Sequence, residues 1–405
     1  MEIAKQKETI LYVSFSKRGQ YYANDASARY RCIYQAMKNS ANGIKSDIIH
    51  MSEIKKISLK NYSKIIFHRP RISRKLIKVI KNIYNLGITA EADFDDLLFR
   101  PDLAYSSPMV LCNKESLASA KKNARRSKAA LLLFHRCHMS TTELIKAAKE
   151  IHPQCLYYFT PNQIPSFEKP VQNNSIKDRF NNKIIRYFPG TANHTSNFKA
   201  IESALENWIK KNSDTKLHII GDIEISPTLE NLGRVSTTKK LPYNELSQYI
   251  DSSWITIAPL LKNPFNNCKS ALKFWESAAL GVPVVASQNP DFDRYFCDGL
   301  KLFNSQDEFE LALKTLSNKK QYHQASLSAL QASENAYFYC PDDIVKKFDS
   351  DTSIRSFNKL NTRKENHHRY KKQQKKFKKL IRSPKQFFKD STLNPFRSSR
   401  RKSAT

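Results

Sequence analysis

Apolar runs of about six to eight residues recur along this chain, and between them lie stretches whose apolar positions fall three or four apart. "TILYVSF" (9–15), "KIIFHR" (64–69), "GITAEAD" (87–93), "AALLLFH" (129–135) and "CLYYFTPN" (155–162) read as strands. "ASARYRCIYQAMKNS" (26–40) and "STTELIKAAKEIH" (140–152) read as the helices between them. This alternation predicts a parallel sheet covered by helices on both faces. The polar stretch 161–182, with three prolines, breaks the rhythm and reads as a linker. A second series follows in "KIIRYFPG" (183–190), a helix over 197–212, "KLHIIGD" (216–222), "SWITIAPL" (253–260), a helix over 269–280 and "VPVVAS" (282–287). It fades near Phe348. The expectation is two Rossmann-like, doubly wound α/β domains facing a cleft, at 1–165 and 183–350. A linker at 166–182 joins them and a tail at 351–405 follows. In open sheets of this kind, ligands sit at the carboxyl ends of the strands.

Charge separates the tail from the body. The chain has 405 residues and a formal net charge of +31, from 68 Lys/Arg and 37 Asp/Glu. Residues 355–405 hold 18 Lys/Arg against 2 Asp/Glu, a net of +16, leaving +15 for the preceding 354 residues. The seven cysteines stand singly with no C-x-x-C pair, which points to reduced thiols in a cytoplasmic setting. The first 19 residues suit a first strand better than a signal peptide, and no run approaches the roughly 20 apolar residues of a membrane span.

The segment "NNCKSALKFWESAALGVPVVAS" (266–287) carries the most chemistry. On a helix over 269–280, Lys269, Lys273 and Glu276 share one polar sector flanked by Ser270 and Ser277. Ala271, Leu272, Phe274, Trp275, Ala278 and Ala279 form the buried face. Asn266 or Asn267 suits the N-cap. A solvated face with a Lys273–Glu276 pair is the simple reading. Against it, two lysines one turn apart repel, and Lys269 would sit where the helix dipole disfavours cations. A bound anion removes both penalties.

"KSALKFWESAALGVPVVAS" resembles the second-domain signature of retaining GT-B glycosyltransferases of family 4 (group 1), in which such a helix holds a nucleotide-sugar donor. "YFPGTANHTSNFKAI", "LHIIGD", "LPYNELSQYI" and "IAPL" agree in order and spacing, and "SARYR" and "ADFDDLLF" resemble acceptor-side segments. The resemblance implies that Glu276 matches the second glutamate of the E-x7-E motif, which contacts the donor ribose. The first glutamate is replaced by Cys268. Thr191 follows Gly190 where the family has an arginine, and Asn197 stands near its lysine position. Lys269, Lys273 and the helix N-terminus would then supply the positive charge at the diphosphate. The resemblance places Lys240 and Tyr243 at the base, and His194 in a loop facing the cleft. Gly190, Thr191, Gly221 and Asp222 are strand-end positions, and Gly190 allows close backbone approach. Asn266 and Ser270 complete the donor-side candidates.

"EADFDDLLF" (91–99) places Asp93, Asp95 and Asp96 at a strand end. A D-x-D metal site, an N-cap and acceptor positioning compete there. With lysines available for the phosphates, acceptor positioning is favoured, Asp95 is the candidate, and no metal or cofactor is expected. His135, Cys137 and His138 lack a second ligand pair for zinc. Arg29 and Arg31 fit an anionic acceptor, a donor phosphate or a helix surface.

The tail interleaves basic residues with Phe377, Leu380, Ile381, Phe387, Phe388 and Phe396. It reads as a peripheral anchor on an anionic membrane, ahead of a solvated tail and of nucleic-acid binding, for which no module is visible. "KKLIRSPKQFFKDS" also resembles C-terminal segments of bacterial capsular polysaccharide transferases. The expected activity is hexosyl transfer, of EC class 2.4. The sugar would pass from a nucleotide-diphosphate donor to a growing capsular polysaccharide or lipid-linked glycan, on the inner face of the cell membrane. A catalytically silent GT-B-like scaffold is the first rival and a basic nucleic-acid-binding protein the second.

Overall fold

The computed structural model describes residues 8–190 and 194–350, all within one compact unit that spans Met1–Ile354. Thr191 and the whole of the tail lie outside the described residues.

Two six-stranded parallel sheets carry the molecule. The first contains β1 (Thr9–Ser14), β2 (Lys45–His50), β3 (Lys64–His68), β4 (Thr89–Phe94), β5 (Arg136–Met139) and β6 (Leu156–Phe159), in the order β2-β1-β3-β4-β5-β6. A two-residue strand β7 (Ile164–Pro165) follows. The second sheet contains β8 (Ile184–Tyr187), β9 (Lys216–Ile220), β10 (Val235–Thr238), β11 (Ile255–Ala258), β12 (Val284–Ser287) and β13 (Leu300–Phe303), in the order β10-β9-β8-β11-β12-β13. Each sheet reverses direction of growth at one place, between β1 and β3 in the first and between β8 and β11 in the second. Such a switch opens a crevice at the carboxyl edge. Strands β1, β3, β11 and β12 are apolar along their length because helices cover both faces. β7 pairs with β14 (Tyr337–Phe338), and the helix Asp342–Ser350 returns to pack against the helix Tyr34–Ala41 of the first domain.

The structure departs from the sequence reading in four places. "AALLLFH" is not a strand: it finishes the helix Leu117–Leu131, and β5 begins only at Arg136. Small residues at Ala120, Ala124 and Ser127 form the buried stripe of that helix, a signal the apolar run at its end conceals. β2, β10 and β13 ("KSDIIH", "VSTT", "LKLF") are partly polar or short, so no apolar run announces them. The stretch 161–182 contains the helix Ile176–Asn182, started by a Ser175–Asp178 capping box. Its Arg179 is buried against Asp251 and the carbonyls of Leu280 and Gly281.

The fourth departure concerns the lysines. The chain forms two short helices, Pro264–Asn267 and Leu272–Ala278, with Cys268–Ala271 between them. Lys269 is therefore in a loop, and the lysines are not one helical turn apart. Asn263, with Pro264 behind it, caps the first helix, so neither Asn266 nor Asn267 is the cap. The break follows from packing: Phe265 and Cys268 enter the core of the first domain while Ala271, Phe274 and Trp275 enter that of the second. The carboxylate of Asp291 accepts the Ala271 N–H at 2.8 Å, so a protein carboxylate holds the start of the second helix where an external anion was expected.

Candidate active site

The carboxyl edge of the first sheet is a row of polar side chains in register: Ser14 beside His68, His68 beside Asp93, and Asp93 beside His138. Arg31 forks onto Asp93, with Nε at 3.0 Å and Nη2 at 2.5 Å, and also donates to the Thr160 carbonyl at 2.5 Å. Burial alone would raise the Asp93 carboxyl, but Arg31 and the bond from His68 outweigh it and hold it below the usual carboxylate range. His68 Nδ1 lies 3.0 Å from Asp93 Oδ1, and its Nε2 lies 2.9 Å from Ser27 Oγ. Ser27 donates to Asp95 Oδ2 at 2.5 Å. Arg69 joins the neighbouring carboxylates, its Nε 2.5 Å from Asp95 and its Nη2 2.6 Å from Asp96. Arg69 has φ +51°, left-handed for a residue with a side chain, at the first-sheet switch. Burial notwithstanding, Arg69, through its charge and its hydrogen bond, and the bond from Ser27 hold the Asp95 carboxyl well below the usual range.

Opposite stands the carboxyl edge of the second sheet. Lys273 Nζ donates to the carbonyl of Phe188, immediately after β8, which places this ammonium at the second switch. Burial pushes its pKa down; Glu276 opposes that shift, and Lys240 and Lys269 add to it. Lys269 Nζ is 2.6 Å from Asp96 of the first domain and 4.9 Å from the Phe265 ring centre. Burial and then the charges of Lys269 and Lys273 depress His194 to about 3, so this imidazole is neutral. It accepts from Asn197 Nδ2 at 3.0 Å.

Glu276 accepts from Tyr30 Oη at 3.2 Å, and that phenol is 3.1 Å from the phenol of Tyr243. Arg29 lies over the Tyr243 ring at 4.1 Å. Arg29, Tyr30 and Arg31 come from one π-helical turn, Arg29–Ile33, a local widening common at functional sites. Ser270 Oγ accepts from Asn162 Nδ2 at 3.1 Å. Gly190 has φ +75° and an open flank, and Gly221 has φ +151°. A Cβ on Gly221 would fall 2.7 Å from Pro189 Cγ, so close packing of the two strand-end loops requires glycine there. Asp222 and Lys240 are exposed, and the charge of Asp222 is felt at Lys240, where burial and Arg18 lower the pKa.

The structure thus brings Lys269, Lys273, His194 and Glu276 into one electrostatic neighbourhood, with Tyr243, Ser270 and Asp95 on its borders. Asn266 stands apart. It is 1% exposed and spends its amide on Asn197 Oδ1 and the Leu261 carbonyl, so it reaches His194 only through Asn197. Cys268 is buried, and burial pushes its thiol up to about 12. His68, Ser27, Arg69 and Tyr30 escaped the sequence reading. The available signal was "FHRP", where a histidine and an arginine close a buried strand at a carboxyl end. Among the described residues no group of three His, Cys, Asp or Glu side chains could hold a metal.

Residues 185–318 match the model of the family described as glycosyl transferases group 1. Solved structures extend the likeness to the first domain. HepE of Anabaena, crystallised with UDP, is 13% identical with a TM-score of 0.52, over 87% of this chain and 99% of that one. Sucrose-phosphate synthase of Thermosynechococcus elongatus is 13% identical with a TM-score of 0.58, over 84% and 97%. A glycosyltransferase of Rickettsia africae is 11% identical with a TM-score of 0.54, over 88% and 100%. This chain has the GT-B fold. The match over the second domain supports a glycosyltransferase, and these neighbours carry the likeness in fold across both domains. No curated protein matches the sequence, and no helix among the described residues is long and apolar enough to cross a membrane.

Proposed function

We propose that this GT-B chain transfers a hexosyl unit from a nucleotide-diphosphate sugar to a growing capsular polysaccharide or lipid-linked glycan, with retention of configuration and without a metal. The observation that supports it most is the Lys273 ammonium set on the Phe188 carbonyl at the carboxyl end of β8, with the Lys269 ammonium nearby on Asp96 of the first domain. An ammonium at the switch of the second sheet, with a second one across from it, would present positive charge where a leaving diphosphate gains negative charge. Glu276 lies within reach of the Tyr30 phenol and suits a ribose. Asp95 and its neighbours face this pair from the first domain and suit the acceptor. The basic segment 355–405 would hold the enzyme at an anionic membrane surface.

A thermal-shift screen against UDP, GDP and their sugars tests the donor, because a bound donor raises apparent stability by mass action. No shift with any of them would refute the reading. Proton NMR of the product distinguishes retention from inversion, and activity unchanged by EDTA would agree with metal independence. Pelleting with anionic liposomes by the full chain, and loss of it in a chain ending at Ser350, would support the anchor.

One observation favours the silent scaffold instead. Cys268 replaces a glutamate and packs into the core of the first domain, with its carbonyl held by Thr141 at 3.1 Å. Sugar transfer or donor hydrolysis by purified protein excludes it.

A further inference from the structure

We propose that Ser27, His68 and Asp93 form a proton relay that takes up the hydroxyl proton of the acceptor. The inference rests on the glycosyltransferase reading above and goes further, because it assigns acid–base work to three residues of the first domain.

Three observations carry it. The first is hydrogen-bond accounting. Asp93 is gripped twice by Arg31, and its carboxylate can only accept, so His68 must carry a proton on Nδ1 to bond it at 3.0 Å. In the neutral ring the Nε2 lone pair then faces Ser27 Oγ at 2.9 Å. The second is competition. Ser27 has one proton and two acceptors in reach, His68 Nε2 and Asp95 Oδ2. A rotation of one hydroxyl hands the proton from the carboxylate to the imidazole. Arg69 steadies Asp95 on the other side, so the charge left behind is compensated.

The third is placement. His68 and Asp93 are each 2% exposed, whereas Ser27 is only partly buried. Ser27 is thus the least buried of the three, with the base behind it and the orienting carboxylate behind that, and in the relay it is the member that meets the substrate. This is the order of parts in activated-hydroxyl systems generally. His68 ends β3 at the β1/β3 switch, the crevice where a doubly wound sheet places its ligand.

The step balances. The acceptor hydroxyl gives its proton to Ser27 Oγ as the Ser27 proton passes to His68 Nε2. The acceptor oxygen forms its bond to the sugar C1, the bond from C1 to the phosphate oxygen breaks, and its electron pair leaves with the nucleoside diphosphate. The imidazolium, facing Asp93, returns its proton to solvent through Ser27. The relay removes a proton and does not fix which face of the sugar is attacked.

The test uses the full chain with UDP-glucose as donor and two acceptors, water and azide, since azide has no proton to lose. Ser27→Ala should cut UDP-glucose hydrolysis by about 100-fold, within the range of general-base effects. UDP affinity by calorimetry should stay within twofold, and glucosyl azide formation within threefold, of the wild type. His68→Asn, which keeps an N–H for Asp93 and loses the basic nitrogen, should behave alike. If it fails to fold, Ser27→Ala decides alone. Hydrolysis at wild-type rate in the variants, or an equal loss with azide, overturns the relay and leaves the transferase reading standing. A wild type that binds UDP but turns over neither acceptor also overturns the relay. A wild type that binds neither UDP nor GDP removes the reading beneath it.

Discussion

The two carboxyl edges that face each other are built on opposite electrostatic plans. On the first sheet, Asp93, Asp95 and Asp96 are matched by Arg31 and Arg69 from the same domain, in forked and short contacts. On the second, Lys273 rests on a backbone carbonyl, and Lys269 finds its carboxylate across the interface. One edge has its charges settled internally, and the other holds cations whose partners are weak or borrowed. A neutral, hydroxyl-rich acceptor suits the first, because charges already paired can orient it without being displaced. A diphosphate suits the second. On the function proposed above, the same topology would serve two chemistries, and the division would lie in side chains at the switch points rather than in the sheets.

The most severe break in this comparison is Asp93→Asn. Arg31 is fully buried, and loss of its carboxylate strands a charge inside the first domain. Removing one partner of a buried pair costs about 3–5 kcal/mol. The expected outcome is a large fall in the urea midpoint, with the same variant far less stable than Asp96→Asn on the exposed side of the network. Equal midpoints would show that the first edge is not internally settled.

Next comes Lys273→Met, which keeps the length of the side chain and removes its charge. Loss of a preset donor at developing negative charge costs about 10²–10³ in turnover. Because Lys273 donates to a carbonyl and also offsets the buried charge of Glu276, the variant should melt somewhat below the wild-type temperature and still fold. Turnover of a UDP-sugar together with a melting curve checks both halves. A stable and fully active variant would remove the diphosphate role from the second edge.

Much of this was legible before any coordinates, and the part that was not has physical causes. The α/β alternation and the lysine–glutamate segment can be read because buried parallel strands write long apolar runs. β2, β10 and β13 are partly polar or short and leave no such trace. The helix predicted over 269–280 failed because Phe265 and Cys268 are drawn into one domain and Trp275 into the other, a tertiary demand that local periodicity does not record. His68 is a single residue at a strand end, and its meaning comes from Ser27 and Asp93, 41 and 25 positions away. Arg31 fits an acceptor, a phosphate or a helix surface equally well in the sequence, because the carboxylate that holds it lies 62 residues further on.

The acid response should separate the edges more gently. His194 is held near 3 in the folded protein, against an ordinary value near 6.5. The unfolded chain therefore binds a proton between those values that the folded chain refuses, and stability falls as pH drops from 6.5 toward 3. His194→Gln removes this loss, which, given the partial exposure of the ring, is on the order of 1 kcal/mol by pH 4.5. Urea midpoints at pH 7 and pH 4.5 should draw apart less in the variant than in the wild type. Asp93 and Asp95, with depressed folded values, contribute stability present above the ordinary carboxylate range and lost only at lower pH, so they do not mask the window.

The finest probe is Asp96→Asn, because Asp96 is where the two plans touch. Its carboxylate serves Arg69 of its own edge and Lys269 of the other. Both ends are partly exposed, so the pair across the interface is worth about 0.5–1 kcal/mol. If Lys269 is held by Asp96 only until a phosphate takes its place, breaking that contact removes a competitor of the donor. UDP should then bind a few-fold more tightly to Asp96→Asn, and the gain should shrink at high salt, where exposed charges are screened. If Lys269 instead has a purely structural bond to the first domain, the variant binds UDP no better than the wild type and loses a little stability. Calorimetry at two salt concentrations separates the outcomes, and the double variant with Lys269→Met must abolish any gain for the competition to hold.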